Sequence, residues 1–244
     1  MLKKLLALLM VLTLLCALAA CTDPETPNPA PNDPSAGLED PAPMLVKSGD
    51  IADCELTWEL YTDGALYIRG MGPMAEFESN SSISTRQPWQ EYIANENGSY
   101  TVKKVFVENG VTSLSEGAFQ GCINLETAEI ATSVTVIPAK CFNRCSVLRT
   151  VRAKGVIEIA DAAFQNCERL TTVTVNASLQ IVWDGAFSAC ATLSNNFAVR
   201  LAGNAEEWAA AKAKMNESTE DEFAIWTGNE IFLAALEKVT FVSK

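Results

Sequence analysis

The hydrophobic positions of this chain recur at a near-constant interval between residues 101 and 199. Four Phe-x-x-Cys-x-x-Leu units follow one another, and their Phe residues are separated by 23, 22 and 23 positions. The units are Phe119/Cys122/Leu125, Phe142/Cys145/Leu148, Phe164/Cys167/Leu170 and Phe187/Cys190/Leu193. A repeat of this length with fixed apolar positions is typical of a solenoid whose coils stack and share one core. The pattern therefore predicts an extended surface rather than a pocket.

Within each coil the apolar residues change their spacing, which predicts the local structure. Alternating residues follow the Leu of the first three units, and the same alternation at Val102, Val105 and Val107 places the start of the stack before the first Phe. A second apolar pair comes next: Val111/Leu114, Val134/Ile137, Val156/Ile159 and Leu179/Val182. Phe, Cys and Leu at three-residue spacing share one face of a short helical or 3-10 turn. Each coil is thus predicted to hold two extended stretches and one helical turn.

The segments that flank the repeats have the pattern of caps. Alternating apolar residues precede and follow the Asp63-Gly64 turn, which predicts a hairpin within an N-terminal cap over residues 44–100. Asn204 with Glu207 three residues later predicts a capping box that opens a helix to about Lys214, within a C-terminal cap over residues 200–244. Caps are needed because open solenoid ends would expose core and strand edges.

The first 43 residues predict export and anchoring rather than a folded element. Lys3 and Lys4 precede a Leu-rich run, and Leu18-Ala19-Ala20-Cys21 resembles the bacterial lipobox, so residues 1–20 are predicted to be a signal peptide. Cys21 would become the lipidated first residue; the alternative is ordinary secretion with a free thiol there. Residues 21–43 are Pro-rich and almost without apolar side chains, which predicts a disordered tether.

Charge and composition exclude several classes of function. The full chain has a formal net charge of −12, and loss of Lys3 and Lys4 with the signal would leave −14. Nucleic acid is therefore not expected as a partner, and contact with the membrane is expected through the N-terminal lipid only. Histidine is absent, which excludes Ser-His or Cys-His nucleophiles and the usual zinc sites. Acidic clusters such as Glu206-Glu207 are explained as solvated helix ends, so neither catalysis nor a metal or cofactor is expected.

The cysteines are predicted to be packing residues. Four of them occupy one slot of successive repeats, Cys141 stands where Ala118, Ala163 and Ala186 stand in the other coils, and Cys54 has no repeat partner. A thiol is a small, commonly buried apolar group. Disulfides between coils stay an alternative, although equivalent side chains of parallel coils point the same way and a bridge needs converging Cβ vectors.

The repeats resemble the BspA-like bacterial leucine-rich repeats, whose units have the form G-x-x-A-F-x-x-C-x-x-L followed by a short strand. Gly117-Ala118-Phe119-Gln120-Gly121-Cys122 and Gly185-Ala186-Phe187 carry the likeness, which runs over residues 101–199. The resemblance implies a β-rich leucine-rich-repeat solenoid with an N-terminal β-hairpin cap and a C-terminal α/β cap. It also implies a surface lipoprotein on the extracellular side of a bacterial cell, with a role in recognition or adhesion.

The strand positions that point away from the core form two neighbouring files, and these hold the candidate contact residues. The files are Lys104, Thr127, Thr150 and Thr172, and beside them Phe106, Glu129, Arg152 and Thr174. From these we take Lys104, Phe106, Glu129, Arg152 and Thr174 as ligand-binding candidates, and their mixed character favours a protein partner on a host or neighbouring cell. A glycan bound by Trp89, Trp183, Trp208 or Trp226 is the alternative, and a spacer without a ligand is a third.

Overall fold

The computed structural model describes part of the chain. The described residues are 41–77, 87–93, 100–183, 185–190, 198–202, 204–207, 209–210 and 240–242. The chain divides into two units, Met1–Pro41 and Ala42–Lys244. The predicted signal peptide, Cys21 and nearly all of the predicted tether lie outside the described residues.

The described part of the second unit consists mainly of short strands. They are β1 (Leu45–Asp50), β2 (Leu56–Tyr61), β3 (Ala65–Gly70), β4 (Gly72–Pro73), β5 (Lys104–Val107), β6 (Val111–Ser113), β7 (Thr127–Ile130), β8 (Val136–Ile137), β9 (Thr150–Arg152), β10 (Glu158–Ile159), β11 (Thr172–Asn176), β12 (Ile181–Val182), β13 (Ala198–Ala202) and β14 (Thr240–Val242). A 3-10 helix spans Gln90–Tyr92. Residues 205–207 and 209–210 are helical.

One long sheet runs through the stack in the order β1-β2-β3-β5-β7-β9-β11-β13-β14. Strands β2 and β3 form the antiparallel hairpin that the alternation predicts, and β1 adds a third antiparallel strand that the pattern did not indicate. From β3 onward all pairs are parallel, beginning with Ala65 opposite Lys104. The hairpin therefore continues directly into the solenoid.

A second, shorter set of strands forms another side of each coil, in the orders β8-β10-β12 and β4-β6. Two extended stretches per coil are thus confirmed. The apolar side chains predicted to face inward lie between these layers, and Val105, Val134 and Leu148 are fully buried.

The segments that carry Phe-x-x-Cys are strings of β-turns, and the prediction of a helical turn there is wrong. No helix is assigned between residues 115 and 125, 138 and 148, or 160 and 170. In each segment some amides bond three residues back, as Cys122 N does to Phe119 O at 3.2 Å, while others reach the next coil, as Phe119 N does to Cys141 O at 2.9 Å. Two residues in each segment have positive φ, which interrupts a helix and turns N–H groups toward the neighbouring coil.

The phenylalanines form a continuous aromatic column in the core. Adjacent rings of Phe119, Phe142, Phe164 and Phe187 stack at centroid distances of 5.3, 5.3 and 5.1 Å. Trp89 extends this column on the N-terminal side, since its ring stacks on Phe119 at 5.6 Å and is fully buried. Trp89 therefore continues the shared core in front of the first repeat.

The repeat cysteines are free and packed inside, as predicted. All six that lie in the described residues are unpaired, and every one except Cys54 is buried. Three Sγ atoms donate to the carbonyl oxygen of the preceding coil's Phe, for example Cys145 to Phe119 at 3.2 Å and Cys167 to Phe142 at 3.1 Å. Burial raises the pKa of the Cys141 and Cys145 thiols well above their ordinary value, so both are neutral packing groups.

On the C-terminal side the long sheet continues beyond the predicted end of the repeats at residue 199. Strand β13 pairs in parallel with β11, and β14 pairs in parallel with β13. Asn204 and Glu207 make both bonds of a capping box: Glu207 N donates to Asn204 Oδ1 at 2.9 Å, and Asn204 N donates to Glu207 Oε2 at 3.3 Å. The rest of the helix predicted to reach Lys214 lies largely outside the described residues.

Candidate binding surface

The register of the long sheet brings the candidate residues together on its outer face. Lys104, Thr127 and Thr150 lie opposite one another on adjacent strands, and Thr172 follows them in the same row. In the neighbouring row Tyr67 is opposite Phe106, which is followed by Glu129, Arg152 and Thr174. The two predicted files therefore exist and are adjacent.

Four of the five candidate side chains are accessible, and one is not. The side chains of Glu129 and Arg152 are 53% and 62% exposed, and Lys104 and Phe106 are partly exposed. Thr174 lies in register with them but is only 5% exposed, so it offers a partner almost no surface. Alternation shows which side of a sheet a residue faces, but it cannot show whether neighbouring groups cover that side.

All three charged candidates already have ionic partners on the protein. Lys104 Nζ donates to Asp63 Oδ2 at 2.9 Å. Partial burial opposes ionisation of Asp63, but the hydrogen bonds from Lys104 and from the Ala65 amide outweigh it and lower the pKa of that carboxyl. Arg152 and Glu129 approach only to 3.9 Å, which is an ion pair without a hydrogen bond. The Lys104 contact fastens β5 to the hairpin, whereas the Glu129 pair is loose.

An aromatic cluster lies at the N-terminal end of this face, and we define it as Tyr61, Tyr67 and Phe106. The rings of Tyr67 and Phe106 stack across β3 and β5 with centroids 4.8 Å apart and planes 16° apart. Tyr61 meets Tyr67 edge to face at 5.5 Å. Aromatic pairs of this geometry add roughly 0.5–1.5 kcal/mol beyond the area they bury. The cluster is therefore a rigid feature of the outer surface.

Arg69 ties this aromatic cluster to two carboxylates. Its guanidinium carbon lies 4.8 Å from the centre of the Tyr67 ring, and its Nε donates to Glu108 Oε1 at 2.9 Å. Glu59 accepts from both Arg69 and the Tyr61 hydroxyl. The hydrogen bond to Glu108 raises the pKa of Arg69, and the bond to Glu59 raises the pKa of Tyr61. A cation held over a ring between two carboxylates is thus present on the free protein.

Sequence reasoning found Phe106 but missed the residues around it. Tyr61 alternates with Leu60, and Tyr67 and Arg69 alternate with Leu66 and Ile68, so the hairpin pattern already placed them on the outer side. What the pattern lacked was the pairing of β3 with β5. That pairing joins residues far apart in sequence and puts Tyr67 beside Phe106.

Only two of the four tryptophans proposed for a glycan site lie in the described residues, and one of these two is buried. Trp89 is fully buried in the aromatic column, so its prediction as an exposed contact residue is wrong. Trp183 is half-buried, and its Nε1 donates to Glu158 Oε1 at 2.6 Å. Trp208 and Trp226 lie outside the described residues.

The described residues contain neither a membrane-spanning helix nor a cluster of metal ligands. None of the helices there is both long and apolar enough to cross a membrane. In the same part of the chain, no three or more His, Cys, Asp or Glu side chains are grouped so that they could hold a metal ion.

Comparison with known proteins finds one family model that matches the repeats. Residues 92–195 match the model described as a BspA type leucine rich repeat region, in six copies. A leucine-rich repeat protein from Eubacterium ventriosum is similar at 18% identity and a TM-score of 0.45, over 65% of this chain and 44% of that one. The leucine rich repeat protein of T. pallidum is similar at 20% identity and a TM-score of 0.39, over 63% and 72%.

A leucine rich cell surface protein from Faecalibacterium prausnitzii is similar at 18% identity and a TM-score of 0.31, over 68% of this chain and 53% of that one. The chain therefore spans less than half the length of the Eubacterium protein. No curated protein matches the chain.

Proposed function

Because residues 92–195 match the model of the BspA type leucine rich repeat region, we propose that this chain is a bacterial cell-surface recognition protein. It binds another protein through the outer face of the long sheet, for adhesion to a host or neighbouring cell, and it catalyses no reaction. The family match supports a surface-type repeat protein. The choice of a protein partner rests on the chemistry of the face itself.

The observation that carries this proposal is the aromatic cluster with Arg69. Tyr, Phe and Arg are enriched where proteins bind each other, and fixed aromatic side chains lose little conformational entropy on binding. Here the rings and the guanidinium are held by one another before any partner arrives. The surface is therefore preorganised for contact.

Attachment to the membrane follows from the N-terminal pattern. We assign the lipid to Cys21, which places the folded part on the extracellular side at the end of a Pro-rich tether. An acidic chain gains nothing from anionic lipid headgroups, so the acyl chains supply the membrane affinity.

The test is to apply the full chain to arrays of extracellular-matrix proteins and glycans at physiological salt. If the chain binds a protein on the array, the variant Phe106→Ala/Glu129→Ala/Arg152→Ala should no longer bind it. The control variant Thr112→Ala/Thr135→Ala changes two exposed residues on the side of the second, shorter set of strands, and it should still bind. Circular dichroism shows whether both variants are folded. A protein hit that survives the first variant would contradict binding through this face.

The same arrays separate the other two interpretations. A glycan hit abolished by Trp183→Leu would favour carbohydrate binding, because Trp183 is the partly exposed candidate among the described tryptophans. If the chain binds nothing on either array, the interpretation as a spacer without a ligand is favoured.

A further inference from the structure

Phe106 presents one of its ring faces to the open part of the sheet. Neighbouring strands of a sheet lie about 4.8 Å apart, and the rings of Tyr67 and Phe106 are 4.8 Å apart and nearly parallel. The two rings therefore stand face to face across β3 and β5. In the part of the chain that the structure describes, Tyr67 is the ring stacked on Phe106. The other face of Phe106 is turned toward β7.

Glu129 lies beside that second face, and Glu108 lies further along the chain from Phe106, where its Oε1 accepts from Arg69. Glu129 is in register with Phe106 on β7, and Glu108 follows two residues after Phe106, on the same side of the chain. We call the Phe106 ring face and these two carboxylates the Phe106 slot. Its side chains are accessible, since Glu108 and Glu129 are 44% and 53% exposed.

The protein already contains a filled version of this arrangement one strand away. Arg69 lies over Tyr67 between Glu59 and Glu108, which are its two ion-pair partners. The Phe106 slot has the same kinds of group, an aromatic face and two carboxylates, and it shares Glu108 with the filled site, where Glu108 Oε1 accepts from Arg69. An aromatic face beside a carboxylate is therefore present a second time.

The basic groups near the slot do not occupy it firmly. Lys104, on the same strand as Phe106, is bound to Asp63 on the hairpin side. Arg152 reaches Glu129 only at 3.9 Å, and both side chains are more than half exposed. Exposed ion pairs of this kind contribute little stability. An incoming cation can therefore displace Arg152 from Glu129 at small cost.

We propose that the Phe106 slot receives an arginine or lysine side chain of the protein partner. This assignment rests on the proposed function and names the chemistry of its contact. Arginine suits the slot best, because its planar guanidinium stacks on a ring and presents a fork of donors to carboxylates. The net charge of −12 adds a long-range attraction for a basic partner.

A displayed library of random twelve-residue peptides tests this proposal and does not require the partner to be identified first. The full chain is captured through a tag placed after Lys244, and peptides are selected at physiological salt. We expect the selected peptides to be enriched in Arg or Lys. Replacing that residue by norleucine in the best peptide should weaken its binding about two- to fivefold, the usual range for an exposed cation on a ring.

Four variants locate the effect. Phe106→Leu removes the ring while keeping an apolar side chain, and Glu129→Gln removes the charge while keeping the shape. Both should weaken the selected peptide about as much as the norleucine replacement does. Glu168→Gln is the matched control, because it makes the same charge change at an exposed position in the turn segment of another coil. Phe106→Tyr should restore binding, since it restores the aromatic face.

The possible failures are distinguishable. Peptide binding could be lost with the protein variant Phe106→Leu and yet persist with Glu129→Gln and with the norleucine peptide. This result would overturn the slot but leave the proposed recognition of a protein through this face intact. Peptides indifferent to every variant on the face would overturn both proposals. If Glu129→Gln and Glu168→Gln weaken peptide binding equally, the effect comes from the overall charge of the protein, and the slot is overturned. A selection that enriches no peptide would also overturn the slot.

Discussion

At the scale of single residues, the repeat keeps backbone conformation more strictly than residue type. Each turn segment has two left-handed positions, one two residues before the Phe and one two residues after it. They are held by Gly117 and Gly121, Lys140 and Arg144, Ala162 and Asn166, and Gly185 and Ala189, with φ between 52° and 78°. A residue with a Cβ is disfavoured there by roughly 1–2 kcal/mol. The later coils therefore contain strain that the first coil avoids.

Replacing Ala189 by glycine should relieve part of this strain. Ala189 has φ 55° and an exposed side chain, so Ala189→Gly loses no buried contact. After allowance for the greater flexibility of unfolded glycine, we expect a gain of roughly 0.5–1 kcal/mol. The free energy of unfolding in urea measures it.

The equivalent position of the first coil supplies the reverse experiment. A Cβ at Gly121 would meet only Ile93 Cγ2, at 3.9 Å, so Gly121→Ala adds backbone strain without a clash. It should lower the free energy of unfolding by about the amount that Ala189→Gly raises it. Shifts in the same direction for both variants would contradict the account of strain.

At the scale of elements, the joint between the hairpin and the first coil contains a titratable contact. Asp63 lies in the hairpin turn and binds Lys104 at the start of β5. Its folded-state pKa is lowered, so the contact stabilises the protein above the unfolded pKa of about 3.9, and this contribution is lost as pH falls through the folded value.

Asp63→Asn should therefore be less stable than the wild type at pH 7, and this difference should be smaller at pH 3, below the unfolded pKa of about 3.9. The difference at pH 7 is expected to be no more than about 1 kcal/mol, because both side chains are partly exposed. Urea unfolding at the two pH values measures it, and Glu168→Gln serves as a control at an exposed site. A deficit that persists unchanged at pH 3 would assign the effect to something other than the ion pair.

The aromatic column is the element that couples successive coils. Phe119 and Phe142 are in contact at 5.3 Å, whereas Phe119 and Phe187 are separated by two other rings. Paired substitutions to Leu should be non-additive by roughly 0.5–1.5 kcal/mol for Phe119 with Phe142. For Phe119 with Phe187 they should add to within about 0.5 kcal/mol. Thermodynamic double-mutant cycles decide this, and equal coupling in both pairs would argue against transmission from neighbour to neighbour.

Much of the architecture was predictable because it repeats. Alternating apolar residues identified the strands, and the fixed slots identified the buried Phe and Cys residues. The helical turn was predicted wrongly because several left-handed positions are occupied by residues with a Cβ, such as Lys140 and Ala162. Glycine at these positions would have indicated the left-handed conformation in the sequence. Trp89 stands outside the period, so nothing in the pattern joined it to the Phe column.

For the candidate surface the limit was long-range pairing. The rows within the repeats followed from the period alone, and they placed Phe106, Glu129 and Arg152 correctly beside one another. The parallel pairing of β3 with β5 lies outside the period, and it is this pairing that assembles Tyr67 and Arg69 with Phe106. The burial of Thr174 likewise depends on covering groups that alternation does not encode.

At the scale of the whole molecule, the decisive prediction concerns how the chain is held at the cell. If Cys21 carries the lipid, Cys21→Ser should incorporate no fatty acid and should move from the membrane fraction to the soluble fraction. For the variant chain whose signal has been cleaved, the shift should be nearly complete, because without Lys3 and Lys4 it has 16 basic against 30 acidic residues and no electrostatic affinity for anionic lipids. Metabolic labelling with an alkyne fatty acid and fractionation of the expressing cells measure both effects, and Cys54→Ser is the matched control, since Cys54 lies in the folded part. Because neither variant touches the sheet, both purified proteins should still select peptides through the Phe106 slot. A Cys21→Ser protein that stays with the membrane would show that another part of the chain supplies the attachment.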